Sequence, residues 1–322
     1  MYRYLSIALL AVVAMSRCEQ PSGPTGMSEI STFGSNPGDL KCWQYVPQGN
    51  LRKVPLVVVL HGCLQDAQEM ARLSGWNTLA EQEKFIVLYP QQSAANNLNR
   101  CFNWYQPGDA SRNNGEAASI SQMIAHALTQ HHIDENRIFV TGVSAGGAMS
   151  MVMAAAYPET IQAAAPIAGI PYGAADNLST GLAAMAGNVT LSPEAWGQKV
   201  KSQNTSFSGT YPRVAIFHGV DDNIVKMANA TEIAKQWSYL HGLANDAGVA
   251  TENFNNNPKV KRSVWSKAGK EVVVRYDLSG LGHAIPVDPG TAPNQGGETA
   301  TFAKDLDFHA AWWSAVFFGI AR

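Results

Sequence analysis

Charge is scarce in this 322-residue chain. Asp, Glu, Lys and Arg supply 15% of it, and 23 basic residues against 25 acidic ones leave a formal net charge of −2. Nucleic acid and anionic membrane surfaces are held by a basic excess, so neither is expected as a partner. Long apolar runs are lacking too. Leu5 to Met15 is too short to span a bilayer and no other run suffices, so no integral membrane segment is expected in the mature protein. Cysteine is limited to Cys18, Cys42, Cys63 and Cys101. None stands at zinc-ligand spacing and there is no H-E-x-x-H, so neither a metal nor a cofactor is expected. No internal repeat is visible.

What is present begins with Arg3 and the apolar run behind it, closed by Ala14-Met15-Ser16. That pattern is an export signal over residues 1–16, so the protein is expected to be secreted, extracellular or periplasmic. Lipoprotein anchoring through Cys18 is the alternative, although Arg17 stands where such signals want a small residue. Residues 17–40 hold Pro21, Gly23, Pro24, Gly26, Pro37 and Gly38 and suggest a flexible linker. Residues 41–322 are expected to form one catalytic domain, with 46% of the whole chain hydrophobic.

Within that domain apolar runs alternate with helical spacing. Leu40–Val46, Pro55–Leu60, Phe85–Tyr89, Ile138–Val140, Ala163–Ile167, Val214–Phe217 and Val272–Tyr276 suggest strands. Gly75–Phe85, Glu116–Gln130, Ala148–Ala156, Thr231–Leu240 and Phe302–Phe318 suggest helices. The alternation predicts an α/β fold, a mostly parallel doubly wound sheet with helices on both faces. Pro171–Pro212 suggests an excursion over the active-site face. Gln91–Gly115 is a long loop carrying Cys101-Phe102-Asn103-Trp104-Tyr105. Its aromatics serve either as core plugs or as the wall of a binding cleft.

The chemistry is concentrated in Gly142-Val143-Ser144-Ala145-Gly146, a G-x-S-x-G motif between a short strand and a helix. Strand, sharp turn and helix form a nucleophile elbow, and the helix N-terminus favours an oxyanion. A serine hydroxyl needs a base, and the base needs an orienting carboxylate. His283, in a Gly-flanked loop after the last strand, completes the order serine, acid, histidine of the α/β-hydrolase fold. The acid lies in His218-Gly219-Val220-Asp221-Asp222, with Asp222 preferred and Asp221 its competitor. His61-Gly62-Cys63, at the end of a central strand, would supply a second oxyanion donor.

PLVVVLHGC, SGWNTLAEQEKFIVLYP, CFNWY, GEAASI, GVSAGGAMS and PIAGIPYGAA together resemble the polyhydroxybutyrate depolymerase family of extracellular esterases. That family is similar to the feruloyl and acetylxylan esterases of carbohydrate esterase family 1. The likeness runs from about Leu40 to His283. It implies a secreted serine esterase cleaving short-chain poly(3-hydroxyalkanoate), polyhydroxybutyrate or its oligomers through an acyl-enzyme. It implies Ser144 as nucleophile, His283 as base, Asp222 as acid, and the Cys63 and Ala145 amides as oxyanion donors. It implies a Cys63–Cys101 disulfide and a substrate-binding role for Trp104, with its neighbour Asn103. Classical polymer depolymerases carry a linker and a separate polymer-binding domain. No such module is visible here, which tells against crystalline polymer. The alternatives are a feruloyl or acetylxylan esterase acting on plant polysaccharide, and a non-catalytic polymer-binding protein.

Overall fold

The computed structural model describes residues 26–322; the expected export signal and Cys18 lie outside the described residues. Two short strands open it, β1 (Ser28–Ile30) and β2 (Lys41–Tyr45). The run VPLVVVL forms β3 (Val54–Leu60), buried at every position as expected of a strand covered on both faces. Helices α1 (Ala67–Ser74) and α2 (Trp76–Glu83) follow, separated by Gly75 in the left-handed region at φ 73°. Next come β4 (Ile86–Gln91), the long loop, α3 (Gly115–Gln130), β5 (Ile133–Val143) and α4 (Ala145–Ala156). Every residue of α4 is buried, so AGGAMSMVMAAA shows no polar stripe.

The chain continues through β6 (Ala163–Ile167), α5 (Leu178–Met185), α6 (Pro193–Lys201), β7 (Arg213–Gly219) and α7 (Ala228–Leu240). It ends with β8 (Val249–Thr251), β9 (Val260–Lys267), β10 (Lys270–Leu278), β11 (Ile285–Val287), β12 (Ala303–Asp305) and α8 (Ala310–Phe318).

Ten strands join in the order β1-β2-β4-β3-β5-β6-β7-β10-β9-β8. The six from β4 to β10 run parallel, and antiparallel strands border them on both sides. One apolar cluster lies on the face covered by α3, α4, α6 and α7, the other on the face covered by α1, α2 and α8. Strand order reverses between β3 and β5, whose neighbours in sequence lie on opposite sides. Ligands of open α/β sheets bind at that point, beyond the carboxyl ends of the strands. The turns after β3 and β5 are the ones carrying Cys63 and Ser144.

Among the departures of the structure from the sequence expectations, three stand out. Residues 26–40, inside the stretch read as flexible linker, are seated on the domain. β1 pairs with β2, Met27 and Leu40 are buried, and the Gly38 amide donates to Ser119 Oγ. The expected closing helix begins at Ala310 instead of Phe302. Residues 303–305 pair with β11, and Asp307, at φ 52°, turns the chain while Asp305 Oδ1 accepts from its amide. The Pro171–Pro212 excursion contains two helices, α5 and α6.

Candidate active site

Ser144 occupies the elbow between β5 and α4 with φ 57° and ψ −118°, a strained conformation for a residue with a side chain. Its amide donates to Ile167 O of the neighbouring strand, which fixes the turn. The glycines around it are demanded by backbone proximity. A Cβ on Gly146 would come within 2.3 Å of Leu60 O, and one on Gly142 within 2.5 Å of Gly146 O. The elbow can therefore press against the end of β3 only with glycine at both positions.

The three side chains singled out in sequence meet here. His283 Nε2 lies 2.9 Å from Ser144 Oγ, and His283 Nδ1 lies 2.8 Å from Asp222 Oδ2. Asp222 Oδ1 accepts from the Ile224 and Val225 amides, each at 2.9 Å, so both carboxylate oxygens are engaged. Burial pushes the Asp222 carboxyl up. The hydrogen bond and charge of His283, with the two amides, outweigh it and leave the group below its ordinary value. Asp221 is exposed, and its carboxylate accepts from the Gly280 amide instead. His218 is fully buried behind Asp222 and donates Nε2–H to Val225 O, bracing the acid loop.

The turn after β3 has one amide left over. Gly62 N–H donates to Gln65 Oε1, Leu64 N–H to Asn99 O and Gln65 N–H to Gly62 O, leaving that of Cys63. The Ala145 amide is the first of α4 and has no intrahelical acceptor. Gln65, not anticipated from sequence, is buried and shapes this turn through its side-chain oxygen. His61, beneath the turn, is held in one tautomer. Its Nε2 accepts from the Gln92 amide, so Nδ1 carries the proton and donates to Gly62 O. Burial lowers its pKa to about 4, outweighing the Gly62 bond and Asp66, which raise it.

Cys63 and Cys101 form a disulfide that ties this turn to the long loop, and Cys42 is free and buried, its thiol pushed up to about 12. Glu116, at the start of α3, organises the loop from inside. Its carboxyl accepts from the Asn103 amide and from the side chains of Gln92 and Asn96, and burial pushes it up to about 8. Asn103 does not reach the cavity. It is buried, with its amide on Glu116 and its side-chain oxygen accepting from Asn97. It braces the loop, which corrects the substrate-binding role expected for it. Trp104 takes part in both alternatives set out above. It belongs to the apolar core and also lines a cavity of about 410 Å³ above Ser144. Asp, Glu, Lys and Arg are absent from that lining, and Leu178, Leu182 and Met185 of α5 form one wall.

A family model described as "Esterase PHB depolymerase" matches residues 40–257. Poly(3-hydroxyalkanoate) depolymerase C of Paucimonas lemoignei is 40% identical over 91% of this chain and 70% of its own. Feruloyl esterase B of Talaromyces funiculosus is 29% identical over 81% of this chain and 74% of its own. Among solved structures, an acetyl xylan esterase from Aspergillus awamori superposes with a TM-score of 0.76 at 26% identity, covering 92% of this chain and 99% of that one.

Proposed function

The chain belongs to the Esterase PHB depolymerase family, and on that premise we propose that it is a secreted serine esterase cleaving poly(3-hydroxyalkanoate), polyhydroxybutyrate or their oligomers. It is a carboxylic-ester hydrolase of the α/β-hydrolase fold. The observation that carries the substrate reading is the Ser144–His283–Asp222 chain of hydrogen bonds beneath a cavity lined without acids, lysines or arginines. A neutral, repeating aliphatic ester gains contact area there and needs no charged partner.

His283 Nε2 takes the Ser144 proton as Oγ adds to the ester carbonyl. The Cys63 and Ala145 amides hold the resulting oxyanion, and Asp222 fixes the His283 tautomer and stabilises its charged form. Collapse expels the alcohol end of the polymer, which takes the proton from His283, and leaves an acyl-Ser144. Water then attacks that ester with His283 again as base, releasing the hydroxyacid end and restoring the serine.

The Cys63–Cys101 disulfide supports an oxidising compartment and hence export. Residues 26–322 are taken as one catalytic unit, wider than the 41–322 expected from sequence. The likeness to an acetyl xylan esterase structure keeps an ester-bearing polysaccharide as the second reading. A substrate panel separates the two: soluble 3-hydroxybutyrate trimer, methyl ferulate and acetylated xylan, each with the parent and with Ser144→Ala. Trimer turnover is expected to exceed the others and to fall on the order of 10⁴-fold in the variant. Preference for ferulate or xylan defeats the polyester reading, and variant activity within tenfold of the parent removes Ser144 as nucleophile.

A further inference from the structure

A second cavity, of about 420 Å³, lies toward the other end of the sheet from Ser144. Arg213, in its lining, is the first residue of β7, whereas Ser144 follows the last residue of β5, and the two strands run parallel through β6. Phe254, Tyr276, Trp313 and Phe317 give this cavity aromatic faces. Phe254 meets Trp313 at 4.8 Å and Tyr276 at 5.6 Å between ring centroids, edge to face in both cases, so the rings brace one another. Three cations share the lining with one carboxylate: Arg213, Arg262 and Lys270 against Glu271.

The two arginines are in different states. Arg262 is engaged on every side. It pairs with Glu271, donates Nε–H to the Tyr276 hydroxyl at 3.2 Å and lies over the Phe254 ring at 5.1 Å. Arg213 is half-buried, with its guanidinium 4.5 Å from the centroid of Phe317. Among the described residues that guanidinium has no hydrogen-bond acceptor and no carboxylate within ion-pair reach. Burial pulls its pKa below the ordinary arginine value, against the charge of Glu271. A guanidinium withdrawn from water is normally compensated by a carboxylate or carbonyl. The one carboxylate in the lining is committed to Arg262, so the cavity keeps a positive surplus and a planar fork without a protein partner.

We infer that this cavity binds a small monocarboxylic acid with an apolar body, its carboxylate on the Arg213 fork and its body against the aromatic faces. The guanidinium fork matches the two oxygens of a carboxylate, and the rings offer contact area to the rest of the molecule. Helix α8 contributes its last turns, the negative end of its dipole, which disfavours a multiply charged anion such as phosphate. The source of the acid rests on the hydrolase reading above, since every carboxylic-ester hydrolysis releases a carboxylate. It is an aliphatic hydroxyacid if the substrate is polyester and an aromatic acid if it is a feruloyl ester.

The test is calorimetric titration of the inert Ser144→Ala protein with the linear dimer of 3-hydroxybutyrate in one arm and ferulate in the other. At least one acid is expected to bind, and the tighter one identifies the source. Adding Arg213→Gln should weaken that binding about tenfold or more, as should replacing the acid by its methyl ester. Arg213→Lys keeps the charge and the apolar stem but loses the fork, and should weaken binding severalfold even if the glutamine variant proves unstable. Failure of both acids to bind overturns the inference, as does unaltered affinity in a folded Arg213 variant, which would place the acid in the catalytic cavity. Inorganic phosphate bound as tightly as the acid, or a methyl ester bound equally well, overturns it too. With Ser144 restored, Arg213→Gln and the parent should hydrolyse the soluble trimer alike. Failure of both to do so sinks the substrate reading and leaves the acid site standing.

Discussion

Lowering the pH from 7 to 4 should loosen the turn after β3 through His61. The ring is buried, and its Nε2 faces the Gln92 N–H, a donor. A proton on Nε2 would set two donors against each other, and burial lowers the pKa to about 4 from an ordinary 6.5. The sign follows from proton binding. Between pH 6.5 and 4 the unfolded chain binds a proton at His61 and the folded chain does not, so stability falls as pH falls. Each pH unit in that window removes about 1.4 kcal/mol, and from pH 7 to 4 the loss comes to about 3 kcal/mol. His131, His218, His241 and His309 are also lowered, chiefly by burial, and push in the same direction. The contribution of His61 is therefore read as a difference. Urea unfolding of the parent and of His61→Gln at a series of pH values should give two curves that converge toward pH 4 by about 3 kcal/mol. Parallel curves across that range would refute the reasoning.

Asp222→Asn should leave a folded protein with turnover reduced on the order of 10⁴-fold, while Asp221→Asn should stay within severalfold of the parent; a crippled Asp221 variant would reverse their assignment. Replacing Cys63 and Cys101 by serine removes a cross-link between residues 38 apart, which should lower stability by about 4 kcal/mol by the loop-entropy relation, measured by urea unfolding. A change under 1 kcal/mol would mean the loop is held by Glu116 alone. Trp104→Ala should lower stability by about 3 kcal/mol, because the ring is buried, and should slow trimer hydrolysis far more than that of p-nitrophenyl acetate. Equal losses on both esters would remove it from the binding wall.

The parallel centre of the sheet was legible because its strands are covered on both faces, so PLVVVL and FIVLY stand out as unbroken apolar runs. The borders were less so. β9 reads VKRSVWSK, with buried Val260, Ser263 and Trp265 between polar neighbours, and its pairing with β10 supplies the regularity that composition withholds. Helix α6 carried readable signals, Ser192 as cap and Pro193 at the first turn. Helix α5 is short and has Gly181 in its middle, so no amphipathic period marks it. The meeting of Ser144, His283 and Asp222 was legible because the chemistry proposed for them fixes their residue types and topology fixes their order. Gln65 and the φ of Leu64 were not, since both follow from how one turn closes on the Asn97–Cys101 segment, a contact local sequence does not encode.

Three restraints converge on the Cys63 amide: His61 beneath the turn, Gln65 across it and the disulfide to Cys101. The disulfide also anchors the loop that carries Trp104, so one covalent link serves two parts of the site. Those parts answer to different substrates. Every ester develops an oxyanion, so loosening Cys63 should slow small and large esters alike, whereas only a substrate long enough to lie along the cavity registers Trp104. Loss of the disulfide should therefore lower activity on p-nitrophenyl acetate, a substrate expected to be nearly indifferent to Trp104→Ala. The opposite pattern, a disulfide variant impaired only on the trimer, would mean that Gln65 and His61 suffice to hold the turn and that the cross-link acts on the loop alone.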